Sequence, residues 1–320
     1  MSSPENSLKA GTALRIATRK SALAVAQTTL AANALVSANP GLEYELVPMT
    51  TEGDRRLDKS LASFGGKGVF IKELEVALLE GRADIAVHSL KDMPAEVMPE
   101  FKLAAVLKRE DPRDAFIAKA GADGVKFMDL PAGSRIGTGS IRRVVQLKAL
   151  RPDLDYVPIR GNIQTRLSKL EELDGVVLAA AGLKRMGLAD QVTEYFGTDK
   201  VLPASGQGIL AVETLAKENS AVDAILSRVN DAPTYCIAVA EMAFLKALNA
   251  GCQFPVASFA EFVQGSGAEN AGAAPVMKIR GIYWDEASKR LLRAEHRCYD
   301  ALQNAREAGI ALAQKIREQL

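Results

Sequence analysis

From residue 14 onward, short β-branched or apolar runs alternate with longer amphipathic stretches. LRIAT (14–18) has the length and composition of a strand. It is followed by SALAVAQTTLAANALVSA, a helix-forming stretch with Ser21 placed to cap it and Pro40-Gly41 to stop it. YELVPM (44–49) predicts the next strand. GVFIKELEVALLEG then puts Phe70, Leu74, Ala77 and Leu78 on one helical face and ends on Gly81. ADIAVHS (83–89) reads as a buried strand. This succession predicts an α/β domain with a mainly parallel sheet.

The same alternation restarts after about residue 112. RIGTGS reads as strand then turn, IRRVVQLKAL as a helix ended by Arg151-Pro152, and DYVPIR as a strand. NIQTRLSKLEEL follows as a helix and GVVLAAAG as a strand, which together make a second α/β unit. Beyond Pro233 the character changes. One helix (TYCIAVAEMAFLKALN), three β-like runs near 254–260, 276–283 and 291–297, and a last helix near 299–319 predict a small α+β domain. QGSGAENAGAA separates the first two of those runs as a Gly/Ala-rich loop. The expected fold class is α/β, with two α/β domains and a small C-terminal α+β domain.

Composition narrows what such a chain can do. In 320 residues, 48% are apolar, 25% charged and 5% aromatic, as in globular proteins of two or three domains. Forty Lys and Arg against 39 Asp and Glu give a net charge of +1, which argues against wholesale binding to nucleic acid or anionic lipid. No apolar run is long enough for a membrane span. The opening MSSPENSLKAGT has neither the basic nor the apolar region of a secretory signal. Cys236, Cys252 and Cys298 are too scattered for a disulfide framework or a structural zinc site, and His88 and His296 are the only histidines. A cytoplasmic, metal-independent protein is expected.

Basic side chains are unevenly placed. Between Arg135 and Arg166 there are seven (Arg135, Arg142, Arg143, Lys148, Arg151, Arg160, Arg166) against two acids, Asp153 and Asp155. GTGS (137–140) stands where a strand should turn into a helix, whose unpaired N–H groups favour an anion. Arginine forks match carboxylates in two-pronged fashion. One reading is a polycarboxylate or phosphate site at the carboxyl ends of the strands; a solvated basic helix face accounts for the charge equally well. The lysine-bearing GTP/ATP phosphate loop is absent. Lys67 in GGKGVFIKEL could reach an anion, though its spacing fits a surface turn better. The HSLKDMP segment puts Lys91 beside Asp92 after a strand end, as a catalytic pair or as a capping aspartate in a surface ion pair. His88 reads as a structural histidine. Cys252 in AGCQFP is a loop thiol without a neighbouring histidine, and an unreactive buried thiol is the ordinary account of it.

Taken together, these segments resemble a known family. RIATRKSALAVAQ, TEGDRRLD, GGKGVFIKELEVALLEGRADIAVHSLKDMP, EDPRDAF, IGTGSIRR, RGNIQTRLSKL, LAAAGLKRMG, LPASGQG and NAGCQFPVAS occur in one order over residues 15–258. They are similar to the porphobilinogen deaminase (hydroxymethylbilane synthase) family over nearly the whole chain. The resemblance implies two periplasmic-binding-protein-like α/β domains, at 1–108 with 208–230 and at 109–207, and an α+β domain at 231–320. It implies head-to-tail condensation of four porphobilinogens, with loss of ammonia, into 1-hydroxymethylbilane. The implied primer is a dipyrromethane cofactor held through a cysteine thioether at Cys252.

By the same resemblance, Asp92 would be the catalytic carboxylate, stabilising the cationic azafulvene formed as ammonia leaves. Ser89, Lys91, Thr138, Ser140, Arg142, Arg143, Arg160, Arg166 and Arg185 would bind the acetate and propionate groups. Arg19, Ser21, Gln27 and Gln207 would line the elongation cleft. A lid over residues 58–70 would bring Lys67 and Phe70 near the substrate. Implied too are a monomer and delivery of product to uroporphyrinogen III synthase.

The chain departs from the family pattern at three places where a basic residue is usual: Ser63, Leu215 and Met242. Their loss is expected to slow elongation or weaken product retention. A different class of protein also fits two α/β units with lost basic groups, namely a non-catalytic bilobal carboxylate binder. The cysteine in its full motif speaks against that alternative. A nucleic-acid binder lacks the stacking aromatics and the excess charge.

Overall fold

The computed structural model describes residues 13–51, 71–121, 124–250, 254–264 and 276–320. Ser63, Lys67, Phe70 and Cys252, and with them the expected lid and cofactor attachment, lie outside the described residues. The chain forms two compact units, residues 1–109 with 209–235 and residues 110–208 with 236–320.

The first unit begins with β1 (Leu14–Arg19), α1 (Ala22–Ala38), β2 (Tyr44–Met49), α2 (Lys72–Leu79), β3 (Ile85–Ser89) and β4 (Phe101–Val106). The second contributes β5 (Asp114–Ala118), β6 (Arg135–Gly137), α3 (Ile141–Leu150), β7 (Asp155–Val157), α4 (Ile163–Leu167), β8 (Gly175–Ala179), α5 (Ala180–Arg185) and β9 (Glu194–Tyr195). β10 (Leu210–Leu215) and α6 (Ser220–Ser227) belong again to the first unit. The chain closes with α7 (Ala232–Ala247), β11 (Val256–Val263), β12 (Val276–Asp285), β13 (Arg290–Cys298) and α8 (Ala301–Arg317).

Among the described residues there are two five-stranded sheets, β2-β1-β3-β10-β4 and β7-β6-β8-β5-β9, and a three-stranded sheet, β11-β12-β13. The α/β class with a small C-terminal sheet and helix is therefore as expected. The sheets are less parallel than the alternation implies. β1 runs parallel to β2 and β3, but β10 is antiparallel to β3 and β4. Likewise β6 is parallel to β7 and β8, and β5 is antiparallel to β8 and β9. A helical crossover enforces parallel pairing between consecutive strands. Strands inserted from distant sequence, such as β10, carry no such constraint.

Each large sheet buries both faces. In the first unit Leu14, Ile16, Ile85 and Val87 pack with Ala31, Ala32 and Leu35 of α1. The opposite face sets Ala17 and Ala86 against Leu74, Ala77 and Leu78 of α2, with Phe101. Of the predicted α2 face, Leu74, Ala77 and Leu78 are buried, and Phe70 lies outside the described residues. α1 starts where its cap predicts, the Ser21 hydroxyl accepting from the Ala24 N–H at 3.3 Å. In the second unit Phe116, Phe127, Ile136, Leu147 and Val177 form one cluster, and Ile117, Ile159, Val176, Leu178 and Leu183 another.

Two local expectations shift. The stretch read as one helix from Asn162 is α4 followed by a 3-10 turn over Ser168–Glu171. The run read as a strand through Gly182 leaves the sheet at Ala179, because alanines released from pairing continue as helix α5. In the C-terminal part, a Cβ at Gly309 of α8 would collide with the Ala240 carbonyl of α7, so glycine is what lets these helices touch. No helix among the described residues is long and apolar enough to cross a membrane.

Candidate active site

Parallel strands end together, so whatever follows them gathers at one edge of the sheet. In the first unit that edge carries Arg19 at the end of β1 and Ser89 at the end of β3. Ser21 spends its hydroxyl on the α1 cap. Gln27, buried on α1, accepts from the Ser89 Oγ at 3.1 Å and ties helix to strand end. The chain then makes a 3-10 turn over Leu90–Asp92. Leu90 and Met93 are buried on either side of it, and the Met93 N–H closes it on the Leu90 carbonyl at 3.0 Å. Leu90 also donates its N–H to the Ile209 carbonyl, continuing the β3–β10 ladder. Two apolar anchors therefore present Lys91 half-buried and Asp92 exposed at the strand end.

In the second unit the corresponding edge follows β6, β7 and β8. Thr138 is buried just past β6, its N–H on the Val157 carbonyl at 3.0 Å. Ser140 holds the cap position of α3 without using its hydroxyl as the cap. Arg160 is exposed after β7, and Arg166 is half-buried, its Nε on the Gly161 carbonyl at 2.8 Å.

Arg142 and Arg143 are neither a solvated basic face nor a pair of open forks. Both are 5% exposed. β5 pairs with β8 so that Asp114 lies opposite Ala179, beneath this edge. Arg142 Nη1 donates to Asp114 Oδ2 at 2.8 Å and to the Leu202 carbonyl at 2.6 Å. Arg143 Nη2 donates to Asp114 Oδ1 at 2.8 Å, and Nη1 to the Val177 carbonyl. Gln207, expected along the cleft, is buried too, and its Nε2 reaches Asp114 Oδ1 at 2.9 Å and the Pro112 carbonyl at 2.8 Å. Burial alone would raise the Asp114 carboxyl; two guanidiniums more than offset it and hold it far below the usual range. Desolvation pulls Arg142 down despite Asp114. Asp114 was missed in the sequence, although it stands in the EDPRDAF segment. Nothing local says that this acid lies under an Arg-Arg pair.

Arg185, at the end of α5, differs. Nη2 donates to the Gly208 carbonyl at 2.7 Å, while Nε is buried with no hydrogen-bond partner. Burial lowers it to about 10, with Glu110 working against the fall. A buried, unspent guanidinium donor suits an incoming carboxylate. Gly206 and Gly208, at φ of +72° and +90°, turn the loop that offers this carbonyl. Beside it, Asp111 is held at about 2: burial would raise it, but Arg113 and Lys184 prevail.

Of the departures, Leu215 ends β10, opposite Phe101, and packs in the α2-side cluster. Because β10 runs antiparallel, that is the end of the strand away from Ser89. Its expected effect on a polyanion path is not supported by this position. Met242 is half-buried on α7. It follows Glu241, whose buried carboxylate accepts the Gly206 and Ala260 N–H groups at 2.6 and 2.7 Å.

Known proteins match the chain over most of its length. Residues 14–223 match the family model "Porphobilinogen deaminase, dipyromethane cofactor binding domain", and residues 235–318 match "Porphobilinogen deaminase, C-terminal domain". A porphobilinogen deaminase of Syntrophus aciditrophicus is 45% identical over 305 residues, covering 95% of this chain and 94% of its own. One from Xylella fastidiosa is 45% identical over 284 residues, 88% of either chain. Among solved structures, the Bordetella pertussis BvgS VFT2 domain aligns at a TM-score of 0.41 and 15% identity, over 68% of this chain and 86% of that one, too low a likeness to carry weight. With two family models spanning nearly all of its length and relatives at this identity, the chain belongs to the porphobilinogen deaminase family.

Proposed function

We propose that the chain is a hydroxymethylbilane synthase, a transferase that joins four porphobilinogens head to tail with release of ammonia. The observation that carries this reading is the continuous family match, with Asp92 displayed on a turn braced by Leu90 and Met93. Asp92 is the proposed catalytic carboxylate. It stabilises the positive charge that develops on porphobilinogen as ammonia departs, and accepts from pyrrole N–H groups.

Dipyrromethane, the cofactor named in the family model, supplies when bound the pyrrole end to which substrate is added. The residues present fit such a polycarboxylate. Arg185 keeps a buried donor unspent, and Arg160 and Arg166 stand at the same sheet edge. These three, with Lys91, Ser89, Thr138 and Ser140, are the proposed holders of acetate and propionate groups. Arg142 and Arg143 act on that edge from below, through Asp114. Cys252 is the proposed thioether attachment, and Lys67 and Phe70 the proposed lid contacts. We retain the three-domain division at 1–108 with 208–230, 109–207 and 231–320. A monomer in the cytoplasm, passing its product to uroporphyrinogen III synthase, completes the proposal. Family membership gives no support to a carboxylate binder without turnover.

The test is the intact mass of the purified chain before and after porphobilinogen. A covalent increment of two pyrroles that grows in one-pyrrole steps is expected. A bare polypeptide mass that never changes, from folded protein, would overturn the reading.

A further inference from the structure

Between β9 and β10 the chain runs through residues 196–209 without helix or strand. A connection of that kind ordinarily lies on the surface. Here residues 201–203 and 205–208 are buried. Polar groups buried with them need partners, and two layers of the same compact unit supply those partners.

On one side stands the C-terminal sheet. Arg280 of β12 donates Nη1 to the Thr198 carbonyl at 3.1 Å and Nη2 to the Thr198 hydroxyl at 2.9 Å. Glu261 of β11 holds the same guanidinium at 3.1 Å. The Leu202 side chain packs among Ala257, Phe259 and Ile282. Further along, the Ser258 and Ser205 hydroxyls meet at 2.7 Å, and Glu241 of α7 accepts the Gly206 N–H.

On the other side stands α3. Gln146, fully buried on its second turn, spends both ends of its amide on the main chain of Leu202. Oε1 accepts the Leu202 N–H at 2.7 Å, and Nε2 donates to the Leu202 carbonyl at 3.0 Å. One side chain thus makes the exchange of bonds that two antiparallel strands make. Arg142 stands one turn earlier on the same helix face. Its Nη1 shares the Leu202 carbonyl, and its own carbonyl accepts from Gln146 Nε2 at 3.2 Å. Further along the same stretch, Gln207 donates to Asp114 and Gly208 accepts from Arg185. The start of α3 and Arg185 are therefore both tied to one short piece of backbone.

We propose that residues 198–208 are a strap, held by the C-terminal sheet, that fixes the spacing between the start of α3 and Arg185, and that Gln146 is the positioning residue that sets α3 on it. What the spacing serves, the binding of acetate and propionate groups, rests on the function proposed above; the strap itself does not. Carboxylates carried on one planar ring stand at a fixed span, so holders kept at a fixed distance bind them without first being ordered. A slack strap weakens that binding before it slows the chemistry. Gln146 acts through Leu202 and Arg142 and not on a ligand.

The test uses the full-length chain with Gln146→Leu, Arg280→Met and the double variant. Leucine fills the space of Gln146 and offers Leu202 neither donor nor acceptor. Exchange of the Leu202 amide should quicken about tenfold in Gln146→Leu and about threefold in Arg280→Met, which leaves α3 untouched. KM for porphobilinogen should rise by about the same factors, with kcat within about twofold. A merely destabilised chain would instead lose kcat through its folded fraction, with KM unchanged. In the double variant the rise in KM should fall short of the product of the single effects, because a strap released at one anchor has less to lose at the other. Arg280→Met reads the strap even where Gln146→Leu does not fold. Unchanged Leu202 exchange in the folded variants, or KM effects that simply multiply, overturns the proposal. The stated exchange response in a chain that makes no bilane would leave the strap standing and count against the deaminase reading.

Discussion

The two α/β units each bury an ionic node under the sheet edge where their candidate residues gather, and the nodes have opposite balances. In the second unit one carboxylate, Asp114, serves two guanidiniums and an amide, all within a dry core. In the first unit two carboxyls, Glu75 and Glu213, face one imidazole. Charge in excess of the acid is met by carbonyl oxygens in the former, Leu202 and Val177 accepting from the arginines. In the latter, burial first and then the charge of Glu213 push the Glu75 carboxyl up to about 7. The arginine-rich node thus holds its carboxylate ionised far below neutral pH, whereas the acid-rich one has a carboxyl that titrates near neutrality. The rigid node underlies the edge proposed to bind carboxylates, and the proton-dependent one lies behind the turn that displays Asp92.

Removing Asp114 is the most severe way to break this contrast. Asp114→Ala strands two buried guanidiniums, and loss of one partner of a buried pair costs about 3–5 kcal/mol. Urea unfolding should show it; a loss under about 1 kcal/mol would mean that the node is solvated. Asp92→Ala should lower the rate of bilane formation by about 10²–10³ while leaving the unfolding midpoint in place, because Asp92 is exposed and lies on a turn held by its neighbours. Appreciable turnover in that variant would remove Asp92 from the chemistry.

The pH dependence of stability separates the nodes by sign. Asp111 and Asp114 have folded values below their unfolded ones, so their contribution is present above about pH 4 and is lost as pH falls toward 2. Glu75 is raised, so its ionisation costs stability as pH climbs from about 4.5 to about 7. Melting of Glu75→Gln against wild type should therefore show the variant gaining, by about 2–4 °C, between pH 5 and pH 8. A constant difference across that range would put Glu75 in contact with water. The smallest effect belongs to the first unit's edge: Ser21→Ala should cost about 1 kcal/mol through the lost α1 cap. A much larger drop in activity than in stability there would give Ser21 a second task.

Much of this architecture was legible in the pattern of residues. Strand β2, the Ser21 cap, the buried stripe of α2 and the three C-terminal strands follow from local periodicity and stop signals. What escaped was anything decided by a partner distant in sequence. The parallel bias failed at β10, which is inserted from distant sequence, and at β5, which pairs with β8 and β9 and not with its successor β6. Arg142 and Arg143 looked like free anion ligands because GTGS and the arginines are local, while Asp114 arrives from a strand 28 residues earlier. Leu215 looked like a lost site charge because a basic residue is usual at its place in the family pattern. Strand direction carries it the other way.

By itself, the amino-acid sequence determined the class of fold, the family and the identity of the residues proposed for catalysis, since helix and strand periods and contiguous motifs are properties of neighbouring residues. Tertiary structure alone decided which charges are free and which are consumed. Desolvation and pairing depend on what the sheet stacks above and beside a side chain, and no run of sequence records that Glu75, His88 and Glu213 share one dry space.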